Sequence, residues 1–292
     1  MRITTRMMVN DLYRSLNVNA QRLAAQQMRL ATGRTINRPS DDPAALVRSL
    51  RLRTSLNEGE QYLENIGNAL SFMQTSDDAL SDLTDALQRA RELTVQAATG
   101  TNDQGARTAI AQEIREIGEQ LKQIANTRHG AKYIFAGSNV SVAPAQADGS
   151  WAGNDTLMSV EIATGVAVPY NLQASGFFAA PGEGLFDVMA ALAVAMESGD
   201  SAGIQAGLSD IDRKLSEALT MQGSIGARIN RMELQQNRLQ NARTSLTELL
   251  ANCEDADLAE VMMNLKTQEA VYQAALRAGA GIVTMSLADF LG

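Results

Sequence analysis

The sequence predicts a mainly α-helical protein with a small β insert. The expected fold is an elongated bundle of long antiparallel helices, with coiled-coil arms at both chain ends and a β-rich tip domain. Aromatic residues make up only 4% of the 292 residues, whereas Ala, Leu, Gln, Asn and Arg are abundant, which is typical of long helices. Apolar residues recur every three or four positions along most of the chain. Three of the five prolines fall between residues 139 and 184, so the helical pattern is interrupted there.

The start of the chain, 1–40, is predicted to be a helical assembly arm. Residues 1–38 contain seven Arg and one acid, a net charge of +6. Apolar and small residues follow the 4-3-4-3 spacing of a coiled-coil seam, which Gln27 interrupts. This seam is weak, so the arm is expected to be disordered or weakly helical in the monomer. Its predicted interface residues are Val9, Tyr13, Leu16, Ala20, Leu23 and Leu30.

A polar joint is predicted directly after this arm. Pro39 disfavours helical backbone at the residue before it. Ser40 and Asp41 place polar and negative groups near the start of the next helix, where the helix dipole favours them. Asp42 suits an N-cap, and Pro43 suits the first helical turn. We interpret these five residues as a hinge and cap at which a long helix begins.

Long helices are predicted on both sides of the insert and form one rod domain, 41–138 with 185–252. A helix of about 55 residues is roughly 80 Å long, so it must pack on partners along its length. Asp103 is expected to cap the second of these helices. The expected helices are 43–98, about 103–127, 185–196 and 201–252.

The segment 139–184 is predicted to be a β-rich insert domain. A short strand, 133–136, is expected just before it. Within the insert, Thr164 and Gly165 separate two apolar segments, 157–163 and 166–172. Two such segments joined by a short glycine-containing turn indicate a β-hairpin.

The end of the chain, 253–292, is predicted to be the second assembly arm. It contains six acids and two basic residues, a net charge of −4. Because the first arm has the opposite charge, the two arms are expected to lie side by side. The predicted interface residues of this arm are Leu258, Met262, Leu265, Tyr272, Leu276, Val283 and Phe290.

The residue inventory argues against an enzyme, a metal site or a bound cofactor. The single His and the single Cys are far apart in the sequence, and no nucleotide-binding or nucleophile motif is present. His129 is expected to cap the helix before it, and acidic pairs such as Asp41 and Asp42 are expected to cap helices. The net charge of −8 disfavours nucleic-acid binding. No apolar run is long enough to span a membrane or typical of a cleaved signal peptide. The Arg series of the first arm could bind nucleic acid or lipid, but pairing with acidic helices is the preferred interpretation.

Several short motifs resemble one protein family. Thr-Gly-Arg at 32–34 and Pro-Ser-Asp-Asp-Pro at 39–43 are two of them, and Tyr-Ile-Phe-Ala-Gly at 133–137 is a third. Glu-Asp-Ala-Asp-Leu-Ala-Glu at 254–260 and Ser-Leu-Ala-Asp-Phe-Leu at 286–291 lie in the second arm. The chain resembles bacterial flagellin-like axial proteins and, within them, the hook-associated proteins at the junction of hook and filament. The resemblance covers about 1–140 and 185–292.

The resemblance implies a structural role in the bacterial flagellum. It implies export of the unfolded chain through the flagellar type III apparatus without a cleaved signal peptide, with a cytoplasmic export chaperone. It further implies a homo-oligomeric ring between the first hook-associated protein and the flagellin filament, outside the cell. The alternatives are flagellin itself, which shares the arms and joints, a tip-like coiled-coil protein of type III secretion, and an unrecognised enzyme.

Overall fold

The computed structural model describes residues 5–99, 103–147 and 149–291, and their side chains except those of residues 5, 6, 8 and 281–291. These residues form seven helices and two small antiparallel sheets, which confirms the predicted mainly helical fold with a small β content. No described helix is long and apolar enough to cross a membrane. The elements are α1 (Thr5–Thr32), α2 (Pro43–Ala98), α3 (Gln104–Ala125), β1 (Arg128–His129), β2 (Lys132–Tyr133), β3 (Ser159–Ala163), β4 (Val166–Pro169), α4 (Ser175–Ala179), α5 (Leu185–Ser198), α6 (Ser201–Glu254) and α7 (Leu258–Leu291).

The chain divides into two compact units. One unit is Met1–Glu58 with Ala242–Gly292, and the other is Gly59–Asn241. The larger unit contains the main apolar core, to which α2, α3, α5 and α6 contribute residues at helical spacing. Each fully buried Leu or Ile stabilises this unit by about 1.5–3 kcal/mol. Fully buried members of the core include Ile66, Met73, Leu80, Leu87, Ile114, Leu121, Leu185 and Ile211.

Local capping explains where the long helices begin and end. The Ala45 amide donates to Asp42 Oδ1 (2.9 Å), so α2 begins at Pro43 as predicted. The Ala106 amide donates to Asp103 Oδ1 (2.7 Å) and caps α3 in the same way. At the other end of α3 the amide of Asn126 closes the last turn. The prediction that His129 caps this helix is wrong, because His129 lies in β1.

The predicted strand at 133–136 is largely wrong. Only Tyr133 belongs to a strand, and β2 pairs with β1 through Arg128 and Tyr133. Ile134, Phe135 and Ala136 are all buried. Alternate side chains of a strand point to opposite faces, so three consecutive buried residues fit a chain that enters the core rather than a two-stranded ribbon.

The insert contains the predicted hairpin. Strands β3 and β4 are antiparallel, with Val160 opposite Val168, and Thr164 and Gly165 form the turn. Gly165 has a φ of +72°, which glycine adopts without strain. The strands are shorter than predicted. Asn171 lies beyond the end of β4, and its side-chain Oδ1 accepts a hydrogen bond from the Met158 amide (2.8 Å).

Aromatic side chains join the insert to the core of the larger unit. Trp151 stacks on Phe178 at 5.1 Å, and Phe135 meets the same ring edge-on at 5.4 Å. The buried Lys214 of α6 donates to the Phe177 carbonyl (3.1 Å) and to Glu217 (2.9 Å). A buried ammonium is tolerated only when it is paired and hydrogen-bonded, so Lys214 ties α4 to α6.

We expect Gly137→Ala to destabilise the larger unit strongly. Gly137 has a φ of +66°, and a Cβ there would overlap the carbonyl oxygen of Asn154. The combined strain and overlap should cost about 2–5 kcal/mol, measured as the free energy of unfolding in urea. Gly130→Ala is the matched control, since Gly130 has a φ of +60° but nothing within 4 Å of the added Cβ. Equal losses in the two variants would contradict the steric argument.

Candidate assembly interface

Helices α1 and α7 pack against each other as an antiparallel pair. The amide of Ala256, before α7, donates to the carbonyl of Gly33, after α1 (2.9 Å). At the other end, a Cβ added at Gly279 would lie 2.8 Å from Leu12 Cδ2. The buried and half-buried residues of each helix follow three- and four-residue spacing, as in a coiled coil. This seam consists of Val9, Leu12, Leu16, Asn19, Leu23, Gln26 and Leu30 in α1 and of Val261, Leu265, Gln268, Tyr272, Ala275 and Gly279 in α7.

The structure divides the predicted residues of the first arm. Tyr13 is 61% exposed and lies outside the seam. Leu12, which the sequence interpretation missed, occupies the seam position beside Gly279. The three- and four-residue spacing of Val9, Leu12 and Leu16 in the sequence could have identified Leu12 as a seam residue. The remaining predicted residues of this arm, Val9, Leu16, Ala20, Leu23 and Leu30, are half-buried.

The predicted residues of the second arm also fall on two sides of the helix. Leu265 is buried and Tyr272 is half-buried in the seam. Leu258, Met262 and Leu276 are instead 50%, 55% and 46% exposed. Their spacing places them together along one edge of α7, beside the seam; we call Leu258, Met262 and Leu276 the α7 edge. Val283 and Phe290 lie outside the residues whose side chains are described.

Polar residues weaken the seam. The Oε1 atoms of Gln26 and Gln268 are buried, and neither has a hydrogen-bond partner among the described residues. Each unsatisfied buried acceptor costs roughly 1–3 kcal/mol. Polar residues at seam positions also fix the register of paired helices at a cost in stability. The pair therefore has a defined register but limited strength.

Among the described side chains of α1 and α7, charge contributes little to the pairing of the two helices. Arg14 and Arg22 are exposed and make no ion pair within the described part of the chain. Lys266 pairs with Glu269 on its own helix (2.9 Å). Within the described side chains, the expected attraction between the basic and acidic arms is represented by the ion pair of Arg34 and Glu254, in which Nε lies 3.6 Å from Oε2.

The two polar joints meet at the base of the helix pair. The Thr35 amide donates to the Glu254 carbonyl (2.7 Å), and Arg34 and Asp255 form an isolated β-bridge. The Arg53 guanidinium donates to both carboxylate oxygens of Glu254 (3.0 and 2.5 Å). The hydrogen bonds from Arg53, more than the opposing effect of burial, hold the pKa of Glu254 below its ordinary value. The sequence interpretation missed Glu254 because its partner lies 201 residues away.

The predicted joint residues act as caps and turns. Asp41 Oδ2 accepts from the amides of Asn37 (3.0 Å) and Arg38 (2.8 Å), and these bonds lower the pKa of the Asp41 carboxyl. Asp42 caps α2, and Pro43 is its first residue. Pro39 and Ser40 are exposed in the turn between Arg38 and Asp41. Within the described ranges, no group of three or more His, Cys, Asp or Glu residues could hold a metal ion.

These features define a mainly helical protein whose first and last helices pair over a shared joint. Two family models match the chain: the bacterial flagellin N-terminal helical region at residues 3–140, and the bacterial flagellin C-terminal helical region at residues 208–291. The chain therefore belongs to the bacterial flagellin family, whose relatives are flagellar proteins.

Individual relatives include both filament and hook-associated proteins. The chain is 23% identical to flagellar hook-associated protein 3 of Escherichia coli over 98% of both chains. It is 28% identical to the flagellar filament core protein flaB2 of Brachyspira hyodysenteriae, over 92% of this chain and 94% of that one. It matches a flagellin of Clostridium tyrobutyricum at 32% identity over 56% of its own length, and spans only 46% of that flagellin.

A solved structure shares the fold. The flagellar junction protein FlgL from Legionella pneumophila superposes with a TM-score of 0.58 at 16% identity, covering 73% of this chain and all of that one.

We expect Gln268→Leu to strengthen the pairing of α1 and α7. The change removes an unpartnered buried acceptor and adds apolar surface at the seam, a gain of about 1–2 kcal/mol. Hydrogen exchange of the α1 amides should slow accordingly. Gln273→Leu is the control, because Gln273 is exposed on the same helix. If both changes slowed the exchange of the α1 amides equally, the added stability would not come from the seam.

Proposed function

We propose that this protein joins the flagellar hook, through the first hook-associated protein, to the flagellin filament. A relative of nearly equal length is named hook-associated protein 3, and a solved structure of the same fold is named a junction protein. The observation that carries the proposal is the match to hook-associated protein 3, which covers 98% of both chains. The paired arms, α1 and α7, also leave apolar residues exposed. A subunit of a larger assembly needs such surfaces for its neighbours.

Besides the α7 edge, the side of α1 opposite the seam is a further candidate contact surface. On α1, Met7, Val18 and Met28 are 56%, 44% and 45% exposed, and their spacing places them opposite the seam. We propose that this side of α1 contacts the α7 edge of the next copy in a homo-oligomeric ring. The exposed Arg14 and Arg22 would then lie within reach of acidic groups of the neighbour.

The other proposed properties follow from the same role. The partners would be the first hook-associated protein, flagellin, a flagellar export chaperone and further copies of the chain. The chain would leave the cell through the type III apparatus and act outside the cell. It would have no catalytic activity, bind no cofactor or nucleic acid, and insert into no membrane.

The weak seam suits an exported subunit. A strongly paired set of arms would resist unfolding for export, and exposed arms would favour premature self-assembly. Polar residues such as Gln26 and Gln268 keep the pairing energy small. Contacts available only in the assembly then offset the entropy lost when the arms become ordered. We propose that the arms are disordered or weakly helical in the monomer. We also propose that the chain comprises three regions, namely the arms, the rod domain and the insert.

Flagellin is the second candidate function. The full-length match to a filament core protein favours it, and the paired arms suit either role. A filament subunit must pack against many copies of itself, whereas a junction subunit must meet two different proteins.

Deletion of the gene should separate the two candidates. We expect bare hooks, with a different filament-forming subunit released into the medium, because the filament would have no attachment site. Electron microscopy of the cells and analysis of the medium provide the measurement. Bare hooks without any such subunit in the medium would identify the chain as flagellin, and normal flagella would refute both candidates.

We expect Met262→Asp and Leu265→Asp each to abolish filament attachment for different reasons. Leu265 is 9% exposed in the seam, so a charge there should separate α1 from α7. Met262 lies on the α7 edge, so its replacement should leave α1 and α7 paired but prevent contact with the neighbouring copy. Neither change should shift the unfolding temperature of the larger unit, measured by calorimetry.

Thr267→Asp is the matched control for these two variants, because Thr267 is exposed on the same helix away from the α7 edge. It should leave filament attachment unchanged. A large fall in the unfolding temperature of the larger unit with either test variant would show that the arms belong to its folding core, and would contradict the proposal.

A further inference from the structure

Glu254 connects three segments of the same compact unit. Its carboxylate accepts two hydrogen bonds from Arg53 of α2 and lies 3.6 Å from Arg34 Nε. Its carbonyl oxygen accepts from both the amide (2.7 Å) and the hydroxyl (3.1 Å) of Thr35. The residue is only 6% exposed. Bidentate pairing of arginine with a buried carboxylate is among the stronger and more directional polar contacts in proteins.

Glu254 is the last residue of α6 and stands directly before the short link to α7. Helix α6 ends at Glu254 and α7 begins at Leu258, so three residues connect them, whereas 33–42 connects α1 to α2. A three-residue link still contains several rotatable backbone torsions, so it does not by itself fix the direction of α7. The hydrogen bonds around Glu254 restrict those torsions.

We propose that Glu254 is the latch that positions the two arms for assembly. While its carboxylate holds Arg53 and Arg34, the turn at Gly33–Thr35 stays paired with Glu254 and Ala256, and α1 and α7 leave the joint in one direction. The inference rests on the proposed function only in its claim that the arms assemble. Without the carboxylate charge, the half-buried Arg53 loses its anionic partner, and the backbone bonds of the joint lose their support.

The charge state of the latch follows from its neighbours. Arg53 from α2, Arg34 from the turn after α1 and the Ser49 hydroxyl all favour the ionised carboxylate, so the pKa of Glu254 lies below its ordinary value. Asp255, the adjacent acid, is exposed. A carboxylate with a lowered pKa stabilises the folded state at neutral pH, and this contribution is lost as the pH falls through the lowered pKa. The latch is therefore closed at neutral pH and opens only in acid.

The single thiol of the chain reports on the joint. Cys253 is half-buried, and its Sγ lies 3.5 Å from the Ala45 carbonyl oxygen. In the purified full-length chain at pH 7, we expect Glu254→Gln to accelerate maleimide labelling of Cys253 by about tenfold. Arg53→Met should have a similar effect, and the double variant should add little, because both changes break one interaction. Glu248→Gln, an exposed change on the same helix, should leave the rate unchanged. A wild-type rate for Glu254→Gln would overturn the proposal.

A pH titration distinguishes the latch from ordinary packing. The amide NMR signals of Thr35 and Ala256 should shift together between pH 6 and pH 3 in the wild type, with a midpoint below the ordinary carboxyl pKa of about 4.3. In Glu254→Gln the Thr35 signal should stay constant over the same range. Identical curves in the two proteins would show that the charge of Glu254 does not control the joint.

Assembly in cells completes the test. We expect cells carrying Glu254→Gln to have several-fold fewer attached filaments than the wild type, and Glu248→Gln to match the wild type. Faster labelling combined with normal filaments would overturn the role of the latch in assembly and leave the junction role intact. If the deletion strain itself has normal flagella, the junction role fails, while the labelling and NMR results still decide whether the latch exists.

Discussion

The contact on which the paired arms depend is the joint, where the segments 33–35 and 254–256 meet. Two backbone hydrogen bonds, Thr35 to Glu254 and Ala256 to Gly33, hold the base of the pair. The bidentate contact between Arg53 and Glu254 lies directly beneath them. Because polar residues dilute the seam above, the joint supplies order that the helices do not supply by themselves. The arms are thus directed from their base rather than fixed along their length.

Exposure in the arms is informative because the same helices also have a buried side. Each arm uses one stripe for its partner in the same chain and presents a second stripe outward. Met7, Val18 and Met28 on α1 and the three residues of the α7 edge lie on one side of their helix and are 44–56% exposed. In an ordinary monomer such stripes would be a liability, since exposed apolar surface favours association. In the proposed ring, these stripes would contact neighbouring copies of the chain.

The sequence predicts the long helices well because their limits are set locally. Asp42, Pro43 and Asp103 determine where helices begin through contacts within a few residues. Sequence patterns fail where a residue distant in the chain determines which side chain is buried. Tyr13 and Leu12 are adjacent and both suit a seam, and only the close approach of Gly279 selects Leu12.

Long-range contacts also explain the remaining differences between sequence and structure. Leu258, Met262 and Leu276 form a regular stripe in the sequence, yet α7 turns Val261 and Leu265 towards α1 instead. Glu254 could not be recognised because Arg53 is distant in the chain. The contacts of α1 with α7 join residues as distant in sequence as Leu12 and Gly279, whereas the larger unit is made wholly from residues 59–241. Closing a longer loop costs more entropy, and contacts between residues distant in sequence slow folding. This topology allows the larger unit to fold before α1 and α7 pair.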